Sequence, residues 1–303
     1  MDLAGMKEKV VLITGANSGV GFETAKALAR LGATLIMVCR NEERATAARR
    51  EIAAIAAGPK PVLMIADLSL QSAVRSLAED VRARFPRLDV LVNNAGAIFA
   101  RREITADGIE KTFAINHLAP FLLTNLLLDL LRLTRGARIV TVASEAYPGK
   151  LDFDNLQGER HYNFLGAYGR TKLCNILFSY DLARRLEGTG VTSNCLSPGP
   201  VATRFGDNMT GLPGLFPLVM KRIPFLFQSP EKGARTSIQL ASSPELAGVS
   251  GRFFLRQRER RTKPITYDRS VAAQLWHVSE DMCAATALPA SDGKLHADPA
   301  GGI

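Results

Sequence analysis

Cysteine is scarce in this chain. There are four in 303 residues: Cys39, Cys174, Cys195 and Cys283. They stand far apart, no two at metal-ligand spacing, and two fall inside apolar runs of strand type. That excludes a disulfide framework and a cysteine-held metal, and implies buried thiols in a reducing compartment. No metal is expected. Long apolar runs are lacking too. The most apolar helical stretch, Leu118 to Leu133, is interrupted by Pro120, Asn125 and Asp129 and is too short to span a bilayer. Met1 to Lys9 has no signal-peptide core. A soluble, cytoplasmic protein is the expectation. There is no Pro/Gly/Ser linker and no internal repeat. With 47% hydrophobic residues, the chain can build one large core. One domain is expected over 1–288, followed by a small polar tail, 289–303, that frays.

The net charge is +9, spread mostly over helical faces. One dense run exists, Arg256 to Lys263. It reads as a solvated loop, with an anionic partner or a membrane surface as the alternative. No nucleic-acid-binding module is present, so no such partner is expected.

What is present is a regular alternation. Val10 to Ile13 is a short β-rich run, as in a buried parallel strand. A helix follows, closed by Gly32. Thr34 to Cys39 is a second strand, and Asn41 can cap the helix after it. Further strands are read at Pro61 to Ala66, Asp89 to Asn93, Arg138 to Ala143, Val191 to Ser197 and Gly251 to Leu255. Helices are read at about Gln71 to Arg84, over a long region from Asp107 to Leu133, from near Tyr168 to Leu186, from Ser229 onward, and from Tyr267 to Cys283. Strict alternation predicts a Rossmann-type, doubly wound α/β fold: a parallel sheet of about seven strands with helices on both faces.

Between the first strand and its helix lie Gly15, Gly19 and Gly21. Glycines let the backbone approach a pyrophosphate, and the helix N-terminus offers free N–H groups. No P-loop lysine follows. An acidic residue after the second strand would repel a 2′-phosphate. This chain has Arg40 there, which favours NADP(H) over NAD(H). Asp67, at the end of the third strand, could face an adenine edge or cap the next helix. Asn93, Asn94, Ala95 and Gly96 end the fourth strand, where ligands of open α/β sheets sit. Ser144 ends the fifth. Lys172 lies one helical turn after Tyr168, so phenol and ammonium share a face. A nearby ammonium is expected to bring the phenol pKa down from about 10.

These motifs together, Thr14 to Gly21, Asn93 to Gly96, Asn116, Ser144, Tyr168 with Lys172, and Pro198 with Gly199, resemble a short-chain dehydrogenase/reductase over about 8–285. Stretches at 115–121, 154–158, 182–186 and 275–280 resemble its retinol-dehydrogenase-like branch. The resemblance implies a tetrad. Tyr168 exchanges the proton. Lys172 lowers its pKa and bonds the nicotinamide ribose. Ser144 holds the substrate oxygen, and Asn116 helps order a relaying water. It also implies cofactor contacts from Gly15, Asn17, Ser18, Gly19, Val20, Gly21, Arg40, Asp67, Leu68, Asn94, Ala95, Gly96, Tyr168, Lys172, Pro198, Gly199, Val201 and Thr203.

Two departures stand out. Ala143 occupies a position where many relatives have a second serine, and the hydrophobic N-terminal anchor of animal retinol dehydrogenases is not in this sequence. The expected activity is NADP(H)-dependent interconversion of a lipophilic alcohol with its aldehyde or ketone. The alternative is a non-catalytic nucleotide-binding regulator or scaffold. Residues 204–228, apolar but broken by glycine and proline and by Lys221 and Arg222, are expected to form a substrate lid with peripheral membrane contact. The leucine-rich face 118–131 fits either a homo-oligomer or core packing.

Overall fold

The computed structural model describes residues 5–201 and 228–285. Thr203, the lid expectation apart from Gln228, and the 289–303 tail lie outside the described residues. Strands are β1 Val10–Thr14, β2 Thr34–Cys39, β3 Val62–Ile65, β4 Val90–Asn93, β5 Arg138–Val142, β6 Thr192–Ser197, β7 Phe253–Leu255 and β8 Arg258–Glu259. They form one sheet in the order β3-β2-β1-β4-β5-β6-β7-β8. The first seven run parallel and β8 pairs antiparallel with β7.

Alternate residues of one strand serve opposite faces, as the period of two requires. In β1, Val11 and Ile13 join a core with Leu35, Met37, Ala25, Leu28 and Ile52. Val10 and Leu12 join another with Ile36, Val38, Leu77, Leu118 and Leu177. The first core is covered by α1 Gly19–Arg30, α2 Glu42–Ala53 and α8 Pro230–Ser242. The second is covered by α3 Gln71–Arg84, α5 Ala119–Leu126, α6 Leu128–Arg132, α7 Phe164–Arg185 and α9 Arg269–Ala285. Both faces of the sheet are therefore buried, which is why its strands read as continuous apolar runs. Among the described residues, no helix is long and apolar enough to cross a membrane.

Three expectations need correction. The region 107–133 is not one helix. It begins at Lys111 with α4 Lys111–Phe113, widens into a π turn at Ala114–Leu118, and continues as α5 and α6. Glu110 sets the start, its carboxylate accepting from the N–H groups of Thr112 and Phe113. Asp107 faces another element and accepts from the N–H of Gln71, the first residue of α3, at 2.8 Å. Pro120 has no N–H to return to the carbonyl of Asn116, so the regular i−4 ladder cannot close there.

The run from Arg256 is not a plain loop either. Arg256 and Gln257, with φ of 48° and 66°, turn the chain so that β8 pairs with the β7 edge. Two central residues with positive φ are what a two-residue hairpin with native twist needs. Finally, the Tyr168 helix starts earlier, at Phe164. The side chain of Asn163 accepts from the N–H groups of Leu165 and Gly166, both at 3.0 Å.

Leu118, Leu122, Leu123, Leu127, Leu130 and Leu131 are buried within this one chain. Core packing alone accounts for that leucine face, and it carries no argument for an oligomer.

Candidate active site

The strand order reverses at β1, whose neighbours are β2 on one side and β4 on the other. Crevices at such a switch point, beyond the carboxyl ends of the strands, are where open α/β sheets bind ligands. Register brings Ile13 beside Met37 and Val92, so β1, β2 and β4 end together.

The turn after β1 fits the pyrophosphate of a dinucleotide. Gly15 has φ +68°, and its N–H donates to the carbonyl of Val38 at 2.8 Å. A Cβ on Gly21 would run into the Asn94 amide and the Gly15 carbonyl, so this turn lies flat only with glycine there. Ser18 precedes α1 without a side-chain cap, and the first turn holds no acidic residue. By contrast, α2, α7 and α8 are capped by Asn41, Asn163 and Ser229. Asn17 to Gly21 thus present a bare helix N-terminus to an anion.

Thr14 opens the glycine motif, but the sequence assigned it no role of its own. Its Oγ1 accepts from the N–H groups of Asn94 and Ala95, both at 3.0 Å. Asn94 Nδ2 donates back to the Thr14 carbonyl at 2.8 Å. The glycine turn and the Asn94–Gly96 segment are therefore locked to each other. The available signal was a threonine placed between the apolar run and Gly15.

Arg40 is exposed just beyond β2. The adjacent Cys39 is buried, and burial raises its thiol to about 11 despite bonds from the backbone of Ala16 and Asn17. Asp67 accepts from the N–H and hydroxyl of Ser69 at 2.9 and 2.8 Å. It makes a local turn and does not cap α3, a task that falls to Asp107. Leu68 lines a cleft with Thr14, Ala95 and Ile115.

Ser144, Tyr168 and Lys172 come together at the ends of β5 and α7. Ser144 is hydrogen-bonded to the Tyr168 hydroxyl. Lys172 is 3% exposed, and its Nζ donates to the carbonyl of Val142 at 3.0 Å. That Nζ lies 5.3 Å from the Tyr168 ring centroid. Burial brings Lys172 down to about 8. The expected fall in the phenol pKa is not found in the chain by itself. Burial pushes Tyr168 up to about 12, and the Ser144 bond offsets only part of this. Lys172 sits over the ring with its ammonium committed to Val142, so desolvation dominates.

Asn116 is fully buried in the π turn. Its Oδ1 accepts from the N–H of Ala97 at 2.7 Å, and its Nδ2 donates to the Ala97 carbonyl at 2.9 Å and to Thr171 Oγ1 at 3.1 Å. Thr171 Oγ1 in turn donates to the Tyr168 carbonyl at 2.7 Å. The side chain of Asn116 therefore fixes the strand-end segment to the turn of α7 that carries Tyr168 and Lys172.

Pro198, Gly199 and Val201 follow β6 at the same edge of the sheet. Gly199 has φ +75°, and its N–H donates to Ser197 Oγ at 3.1 Å. Gln228 bridges to Val201, and its side-chain amide donates to the Pro198 carbonyl.

Comparison with known proteins agrees with this geometry. Residues 9–211 match the family described as short chain dehydrogenase. Human retinol dehydrogenase 14 is 47% identical over 296 residues, covering 91% of this chain and 87% of that protein. Human retinol dehydrogenase 13 is 39% identical, covering 88% and 82%. A crystal structure of an uncharacterized protein from Mycobacterium paratuberculosis superposes with a TM-score of 0.75 at 31% identity, covering 93% of this chain and 96% of that one. The RhlG–NADP active-site complex of Pseudomonas aeruginosa superposes with a TM-score of 0.66 at 26% identity, covering 84% and 97%. The chain belongs to the short-chain dehydrogenase/reductase family, in its retinol-dehydrogenase-like branch, and is an oxidoreductase acting on CH–OH donors with NAD(P) as acceptor.

Proposed function

We propose that this enzyme prefers NADP(H) and interconverts a lipophilic alcohol, of retinoid, steroid or lipid type, with its aldehyde or ketone. The observation that carries the reading is the junction of two features at one sheet edge: an uncapped α1 N-terminus and the buried Lys172 beneath Tyr168. Arg40 stands exposed where an adenosine ribose would end, with no acidic residue in its place, and a guanidinium suits a 2′-phosphate. The retinol dehydrogenases among its relatives support a lipophilic substrate.

When bound, the nicotinamide supplies or accepts the hydride. The protein's part is placement and proton control. In reduction, Tyr168 donates its hydroxyl proton to the carbonyl oxygen, and Ser144 hydrogen-bonds that same oxygen. The phenolate left behind is costly in a buried site, and the Lys172 charge stabilises it. In oxidation the phenolate takes the alcohol's proton. Asn116 holds α7 in register with the end of β4 and serves the proton path to Lys172 through ordered water. The turn Asn17–Gly21, Asp67, Leu68, Asn94–Gly96, Pro198, Gly199 and Val201 would line the cofactor. The described residues act as a single domain.

Rates of NADPH and NADH oxidation with aldehydes from octanal to retinal test the reading. Turnover with NADPH, rising with substrate apolarity, is expected. Cofactor binding without turnover of any aldehyde or ketone would favour the non-catalytic alternative.

A further inference from the structure

Lys263 ends the basic run that the sequence presents as a solvated loop. Its side chain is exposed, yet it meets one distant residue in three ways. Its backbone N–H donates to the Tyr147 hydroxyl at 3.0 Å. Its Nζ donates to the Tyr147 carbonyl at 2.5 Å and lies 4.7 Å from the centroid of the same ring. An isolated exposed lysine contact contributes little. Three contacts to one residue, main chain included, restrain that residue in position and orientation.

Tyr147 lies in the loop that carries Ser144. Ser144 Oγ accepts from the N–H of Ala146 at 3.0 Å. The loop then presses on α7 beside Tyr168: a Cβ on Gly169 would meet the Ala146 carbonyl at 3.0 Å. Glu145, Ala146, Pro148 and Gly149 are exposed, so the loop presents an open face next to the Ser144–Tyr168 pair.

The other end of the contact is rigidly built. Thr262 and Thr266 are buried, with their hydroxyls 2.6 Å apart. Thr262 Oγ1 also lies 3.0 Å from the Tyr180 hydroxyl, and its N–H donates to the Tyr267 hydroxyl at 3.1 Å. Thr266 Oγ1 donates to the carbonyl of Lys263 itself at 2.7 Å. Tyr180 is on α7, about three turns beyond Tyr168, and stacks on Tyr267 at 5.5 Å. The helix that bears the catalytic tyrosine thus also bears the base from which Lys263 reaches back to the serine loop.

We propose that Lys263 is a positioning and specificity-determining residue: by holding Tyr147 it sets the loop 144–150 against α7, and so fixes the size of substrate that reaches Ser144 and Tyr168. The substrate half rests on the oxidoreductase reading above; the restraint of the loop does not.

Two measurements on the full chain test it. Amide hydrogen exchange is followed in wild type, Lys263→Met, Lys263→Arg and Tyr147→Phe. Steady-state NADPH-dependent reduction is followed with octanal and retinal. In Lys263→Met, peptides covering 144–150 should exchange about tenfold faster while those of β1 and β4 are unchanged, which local rather than global opening requires. The KM ratio of retinal to octanal should change by about threefold or more with kcat for octanal within about twofold. Lys263→Arg should restore both, and Tyr147→Phe should reproduce part of each. Unchanged exchange in 144–150, or a uniform loss of protection across the sheet, overturns the proposal. Faster exchange of the loop with an unaltered substrate ratio overturns the specificity half. A wild type inactive on every carbonyl overturns the oxidoreductase reading, and the exchange result then still decides the restraint.

Discussion

Tyr168 and Lys172 put two opposed desolvation effects on one face of α7, one raising a phenol to about 12 and the other lowering an ammonium to about 8. Neither group is at working poise alone, and desolvation is the largest cause of both shifts. Tyr168→Phe removes only the oxygen, and the ring still packs. Its kcat should fall by about 100-fold or more, while the dissociation constant for NADPH, read by fluorescence titration, stays within about threefold. The pH profile follows with a defined sign. In the free enzyme Lys172 is charged below about 8 and neutral above it, so kcat/KM for carbonyl reduction should hold at lower pH and decline as pH rises through about 8. A flat profile from pH 7 to 9.5 would contradict the role given to that charge. Arg40 acts by a separate contact. Charge-assisted bonds to a phosphate contribute about 1.5–3 kcal/mol. Arg40→Asp should therefore weaken NADPH about tenfold or more and spare NADH, as isothermal titration with both cofactors would show.

At the scale of elements, the π turn at Ala114–Leu118 joins the site to the rest of the helical layer. Asn116 faces the strand ends, and the next residue, His117, faces away. His117 packs among the rings of Phe113, Phe121 and Phe178. Its Nε2 lies 2.9 Å from Ser279 Oγ on α9, and its Nδ1 lies 3.4 Å from the Asn175 side chain. Ser279 Oγ also bonds the Leu275 carbonyl at 2.7 Å. Removal of that partner in Ser279→Ala leaves a buried ring nitrogen unmet, at about 1–3 kcal/mol, measurable as a lower urea midpoint. Burial also brings His117 down to about 4 from 6.5. The unfolded chain therefore takes up the proton first as pH falls. Stability from this group is complete above pH 6.5 and is lost between 6.5 and 4, on the order of 3 kcal/mol in all. His117→Gln should flatten the pH dependence of the urea midpoint in that window; an unchanged slope would assign acid sensitivity to other groups.

For the whole molecule, the two edges of the sheet divide their duties. The carboxyl edge holds the glycine turn, Ser144 and the Pro198–Val201 segment. The amino edge holds Asp89, 4% exposed, which accepts from the N–H of Val10 at 3.0 Å and from Lys9 and Arg87. Against the upward push of burial, the bonds from Arg87, Val10 and Lys9 hold its carboxyl below the usual range. Lys9 and Arg87 are 42% and 46% exposed and can return to water if Asp89 is lost. The cost of Asp89→Ala is then mainly the stranded Val10 N–H, about 1–3 kcal/mol. Thermal melting should register that loss while KM and kcat at 25 °C stay near wild type. A kinetic defect without a fall in Tm would break the proposed division.

The sequence by itself determined the alternation of elements and the parallel sheet, and it put Lys172 on the same helical face as Tyr168. Those are local matters: runs of β-branched residues, caps such as Asn41 and Ser229, glycines at fixed offsets, and Lys172 one turn from Tyr168. Tertiary structure decided what depends on distant partners. Thr14 gains meaning only when β4 lies beside β1 and Asn94 reaches it. Asp107 caps a helix 36 residues away. Lys263 meets Tyr147 only because β7, β8 and α7 fix both ends of the contact. The phenol pKa went the other way from the spacing argument for the same reason. Spacing sets that a charge is near, but burial and the competing Val142 carbonyl set what that charge can do.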